Sequence, residues 1–225
     1  MACGATTASV GAAGMGARRT LDRPVGLNQL LKTLDSSGRA FPPRLPEQPI
    51  FYPVTNREYA EQIASVWNTK DPGGGFSGYV TRFDFDADYL SRFKLRQVGA
   101  RQHQELWVPA EDLDACNNQL LDPIRVDAGF FGNSYVGPEP LPTMLRGKAP
   151  TEQLQLLHSI RVSSGMDFAC ELAANSRVVV ADYLFWRGLG PALAGLSAGV
   201  ASALLDDIRR VRIESGACWP YDPSV

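Results

Sequence analysis

Arg101-Gln102-His103-Gln104-Glu105-Leu106-Trp107-Val108-Pro109-Ala110-Glu111-Asp112-Leu113 decides how this chain folds. Read as a strand, it places His103, Glu105 and Trp107 on one face and Gln104, Leu106 and Val108 on the other. Pro109 stops the strand, and Ala110-Glu111-Asp112-Leu113 reads as the acidic first turn of a helix running to Leu120. A carboxylate between an imidazole and an indole is poorly placed for an ion pair in solvent. It suits holding a sugar hydroxyl, or facing a developing positive charge, inside a partly apolar cleft.

Upstream of this strand, Thr20–Val25 reads as a short strand ended by Gly26, and Asn28 as the cap of a helix through Leu34. Four prolines between Phe41 and Pro49 make a rigid loop, the wall of a cleft. Ile50–Val54 reads as a buried strand. Thr55 and Glu58 have capping-box spacing, and Tyr59, Ile63, Val66 and Trp67 form one stripe of an amphipathic helix. Lys70–Gly75 is a flexible loop with neither a P-loop lysine nor a G-x-G-x-x-G frame. Gly78–Phe85 alternates as a strand with Tyr79, Thr81, Phe83 and Phe85 on one side, and Asp86–Phe93 reads as a capped helical turn. Leu95–Val98 and Ile124–Phe131 complete the strands.

Prolines and glycines over residues 133–150 predict a linker. Helical spacing follows over Glu152–Val162, Met166–Trp186 and Ala198–Ile213, with Val178-Val179-Val180 open to either helix or strand. The division expected is a disordered leader over residues 1–17, with Met15 a candidate start, an α+β domain over 18–132, the linker, and a mainly helical region over 151–225 whose end from Gly216 is loose.

The chain has 225 residues, 44% hydrophobic and 20% charged, which fits an ordered globular protein. A net charge of −2 leaves no basic excess for counterion release, so nucleic-acid binding through bulk charge is not expected. Cys3, Cys116, Cys170 and Cys218 show no C-x-x-C spacing, and His103 and His158 are the only histidines, so no metal site is expected. Scattered thiols without a basic n-region and apolar core at the start point to the cytoplasm. The uncharged stretch around Gly188–Leu205 is too rich in Gly, Ala and Ser to insert in a membrane.

Leu21–Gly26, Phe41–Val54, Tyr59–Ala64, Gly78–Phe83 and His103–Leu113 together resemble a family of short bacterial proteins labelled "ADP-ribosylation/crystallin J1" over roughly residues 20–130. The order of elements also resembles the ADP-ribosyltransferase core, a small split mixed or antiparallel sheet with short helices around an NAD cleft. That resemblance implies that Arg23 is the first-strand residue contacting NAD, that Tyr52 on the second strand stacks on nicotinamide, and that Glu105 is the late-strand acid. His103 stands beside Glu105 as a second catalytic candidate, and Trp107 joins Arg23 and Tyr52 in binding NAD.

The chemistry implied is cleavage of the nicotinamide–ribose bond of NAD, with ADP-ribose passed to a protein acceptor or to water. Glu105 would face an oxocarbenium-like ribose. Two other readings stand beside it: a non-enzymatic module binding proteins on the same fold, and an ADP-ribose hydrolase. The paired acidic motifs of magnesium-dependent hydrolases have no counterpart here, the close acidic cluster Asp84, Asp86 and Asp88 standing beside aromatics at a strand end.

Overall fold

Pro24 is where the sheet divides. Strand β1 (Arg18–Val25) pairs antiparallel with β3 (Ser77–Asp86), and β3 with β6 (Arg125–Phe131). Separately, β5 (Gln104–Pro109) lies between β2 (Ile50–Phe51) and β4 (Lys94–Gln97), again antiparallel. The two three-stranded sheets meet in the row Asp22, Val54, Glu105. There Asp22 N donates to the Val54 carbonyl at 2.9 Å and Val54 N to the Asp22 carbonyl at 2.7 Å. In an antiparallel ladder the next hydrogen-bonded pair would be Pro24 with Tyr52. Pro24 has no N–H, so the ladder opens into a fork. The Tyr52 carbonyl is met instead by the Arg23 guanidinium, whose Nη1 donates at 2.9 Å.

The structure is a computed structural model that describes residues 17–101, 103–189 and 195–221. Nearly all of the expected leader, residues 190–194 of the apolar stretch and residues 222–225 of the tail lie outside the described residues. The class is α+β. The helices are α1 (Leu27–Asp35), α2 (Arg57–Gln62), α3 (Ala87–Leu90), α4 (Leu113–Asn117), α5 (Pro150–Ser163), α6 (Gly165–Ala174), α7 (Ser176–Gly188) and α8 (Ala198–Glu214). No helix among the described residues is long and apolar enough to cross a membrane.

Three apolar clusters hold the sheet. Under the fork, Leu21, Phe41, Phe51, Phe83, Phe85, Leu106, Val108 and Leu113 form an aromatic-rich core. Asn117 pins the proline-rich loop over it, accepting from Phe41 N at 2.9 Å and donating to the Phe41 carbonyl at 3.0 Å. On the opposite face, α2 and the turn that continues it cover Val54 and Val80 with Tyr59, Ala60 and Ala64. The largest cluster joins Val25, Leu30 and Tyr79 to Leu154, Val179, Trp186 and Ile208. Sheet and C-terminal helices thus share one core, and the Pro/Gly-rich segment over 133–150 carries Tyr135 and Leu145 into it. The valine triplet is helical and buried, with Tyr79 and Tyr221 donating to backbone carbonyls of α7.

Strand β2 stops short of the expected Val54, the helix expected to Leu120 ends at Asn117, and Met166–Trp186 is split between α6 and α7; four further differences concern caps and packing. The cap of α2 is Asn56, not Thr55; its side chain accepts from Tyr59 N. Beyond Gln62 the helix widens to a π-helix over Ile63–Trp67, turning Val66 and Trp67 to solvent at 43% and 52% exposure. Tyr59 and Ile63 of the expected stripe still pack on the sheet, but Ala60 and Ala64 take the places expected of Val66 and Trp67. Gly78 permits that approach, since a Cβ there would overlap the Ala64 carbonyl oxygen. The N-cap of α1 is Gly26, while Asn28 reaches across to the Gly73 carbonyl at 2.8 Å. Finally, the chain from Gly216 is not loose throughout: Val126 N donates to the Pro220 carbonyl at 2.8 Å, and Tyr221 is buried.

Candidate functional site

The alternation expected of β5 is present. Leu106 and Val108 are buried in the aromatic core, whereas His103, Glu105 and Trp107 are half-buried on the opposite face. Both Glu105 oxygens are held there. Tyr59 Oη donates to Oε1 at 3.3 Å, and Trp107 Nε1 donates to Oε2 at 3.1 Å. His103 stacks on the Tyr59 ring with centroids 4.2 Å apart, so it positions the residue that positions the carboxylate. Tyr52 meets the Trp107 indole edge-on at 5.4 Å, and Arg96, opposite Glu105 on β4, holds its guanidinium 4.0 Å over the same indole. Arg96 thus engages the ring rather than the acid. None of the ion pairs among the described residues includes Glu105.

Arg23 occupies a different place. Its stem leaves β1 on the Leu21 face, and its guanidinium lies 4.6 Å over the Phe51 ring. The residue is 6% exposed, its Nε has no hydrogen-bond partner, and Nη1 is taken by the Tyr52 carbonyl. Burial, then the neighbouring Arg44, lower its pKa from 12.5 to about 9, partly opposed by Glu105. The group therefore keeps its charge at neutral pH, buried, with no carboxylate in contact. The structure brings His103, Glu105, Trp107 and Tyr52 together. It sets Arg23 in the fork beside them, within electrostatic reach of Glu105 but bonded elsewhere.

A second charged array shares the Glu105 face. Asp22, 3% exposed, accepts from Arg82 Nε at 3.1 Å, and Asp127 takes Arg82 Nη1 at 3.2 Å and Arg57 Nη1 at 2.9 Å. Burial raises the Asp22 pKa more than Arg82 lowers it. These acids are matched by guanidinium groups and read as scaffold for β1, β3 and β6. Asp84 is likewise bound by Arg18 and Thr20. Among the described residues, no group of three His, Cys, Asp or Glu side chains is arranged to hold a metal.

Tyr59, Arg96 and Arg44 are the neighbours that sequence reasoning missed. Tyr59 fell on an apolar stripe, yet a tyrosine on such a stripe carries a hydroxyl that needs a partner. Arg96 required the β4–β5 register, which no local pattern reveals. No family model, no curated protein and no solved structure matches the chain.

Proposed function

We propose that the chain binds NAD against the β5 face carrying His103, Glu105 and Trp107 and breaks its nicotinamide–ribose bond, passing ADP-ribose to a protein acceptor or to water. The observation that carries this reading is a carboxylate fixed at both oxygens by neutral donors, Tyr59 and Trp107, with no cation bound to it among the described residues. Its negative charge is oriented but not neutralised. As the bond breaks, its electron pair leaves on the nicotinamide nitrogen and the ribose becomes oxocarbenium-like, the charge a fixed carboxylate stabilises. Glu105 also accepts a hydrogen bond from the ribose 2′-OH. Tyr52 and Trp107 supply ring surface for a flat leaving group. A dinucleotide also brings a diphosphate; half-buried Arg44, bonded to the Ile50 carbonyl and the Gln48 side chain and to no carboxylate among the described residues, is the guanidinium left to meet it, while buried Arg23 adds positive charge close by.

Nicotinamide release from NAD by purified protein tests this. Glu105→Gln keeps both hydrogen-bond partners in reach and should reduce release at least about a hundredfold, in line with loss of an oriented transition-state group. Release unaffected by that substitution removes Glu105 from the chemistry. The same face as a non-enzymatic module predicts a rise in melting temperature with NAD or ADP-ribose but no release. A hydrolase predicts magnesium-dependent release of ADP-ribose from a modified protein.

A further inference from the structure

The outer strand β4 builds a basic groove whose cations the NAD reading does not use. A cavity of about 340 Å³ is lined by Arg92, Phe93, Lys94, Arg96, Trp107 and Asp112, among others. Arg92, Lys94 and Arg96 are exposed, and among the described residues none of them belongs to an ion pair. In a chain with 24 acidic and 22 basic residues, three unmatched cations beside a single acid, Asp112, form a local reversal of charge. The arginines are also held in place by rings. Arg96 lies 4.0 Å over Trp107, and Arg92 lies 5.3 Å from the Tyr89 ring and 5.4 Å from that of Phe93.

We propose that this groove binds single-stranded nucleic acid. Lys94 and Arg96 are two residues apart on one strand face, hence roughly 7 Å apart, which matches the phosphate repeat of an extended single strand. The outer faces of the ring-backed guanidinium groups are surfaces on which unstacked bases rest, as they do on aromatic side chains. The cavity has room for about one nucleotide, and β4 presents its unpaired edge beside it, an arrangement suited to a flexible strand rather than to a duplex. Nucleic-acid binding rests on the β4 cations, whereas nicotinamide cleavage rests on Glu105, and the two share only the Trp107 indole.

Fluorescence anisotropy with a labelled twelve-nucleotide oligothymidylate and the full chain tests it. Binding should appear at low salt, with log K falling against log salt by about 0.7 for each phosphate neutralised, hence a slope near −2 for three cations. The triple variant Arg92→Gln, Lys94→Gln, Arg96→Gln should bind at least tenfold more weakly with a flatter slope, and its melting temperature reports that it folds. Excess duplex should compete poorly. Absence of binding at low salt, equal binding by the folded triple variant, or equal competition by duplex overturns the proposal. Binding of NAD that weakens in the folded triple variant as much as oligonucleotide binding does also overturns it, assigning the groove to the dinucleotide. Aggregation of the triple variant with oligonucleotide binding retained reduces the cations to guards of an exposed strand edge.

Discussion

Replacing Asp182 with asparagine should make the protein more stable, by an amount that grows with pH. Asp182 sits on α7, fully buried, where Tyr135 Oη donates to its Oδ1 and Oδ2 has no partner. Tyr79 Oη lies 3.3 Å from Tyr135 Oη, so the groups around this carboxyl are phenols rather than cations. Burial raises its pKa from 3.8 to about 7, only partly opposed by the Tyr135 hydrogen bond. In the unfolded chain the carboxyl loses its proton near pH 4, whereas in the folded chain it keeps it until about pH 7. Between those values the folded state binds more protons, so stability falls as pH rises. The contribution is fully present below pH 4 and is lost by pH 8, a total of about 4 kcal/mol at roughly 1.4 kcal/mol per unit. Only about 1.5 kcal/mol of that loss has occurred by pH 5. The Asp182→Asn side chain keeps an acceptor for Tyr135 and carries no charge at any pH. The gap between variant and parent should therefore widen by roughly 2.5 kcal/mol from pH 5 to pH 8. Urea unfolding of both proteins, followed by tryptophan fluorescence at each pH, measures it. A gap that stays constant between the two pH values would refute the reasoning, because it would mean that Asp182 titrates alike folded and unfolded.

The fork makes a coupled prediction: Arg23→Met should destabilise by about 2 kcal/mol, since it strands the Tyr52 carbonyl. Adding Pro24→Ala restores an N–H at the register position facing Tyr52, and a double-mutant cycle should recover about 1 kcal/mol; strict additivity rules out the exchange of donors. Gly78→Ala drives a methyl group into the Ala64 carbonyl and should destabilise by about 3 kcal/mol in the same urea assay. A change below about 1 kcal/mol would show that the helix does not press on β3 this way.

The strand bearing Glu105 was legible because its evidence is local. A two-residue alternation ending in proline carries its own face assignment, and β5 buries Leu106 and Val108 as that alternation requires. The helices after residue 150 were legible for the same reason, at a longer period. The cap of α2 was misplaced by one residue because Thr55 and Asn56 both make good caps, and the Tyr59 N–H takes the Asn56 side chain. The second half of the stripe on that helix, Val66 and Trp67, failed because Gly78 rewarded a close approach by Ala64, a contact between residues fourteen positions apart in the sequence.

The amino-acid order by itself determined where most strands and helices lie, the valine triplet of α7 excepted, and that Glu105 shares a face with His103 and Trp107. Tertiary structure alone decided that Tyr59 holds the carboxylate, that Arg23 enters the fork, and that Arg96 covers the indole. Backbone periodicity is set by neighbours along the chain, whereas these contacts are set by strand register and by the one missing N–H at Pro24. Partners brought together across tens of residues leave no periodic trace in either segment.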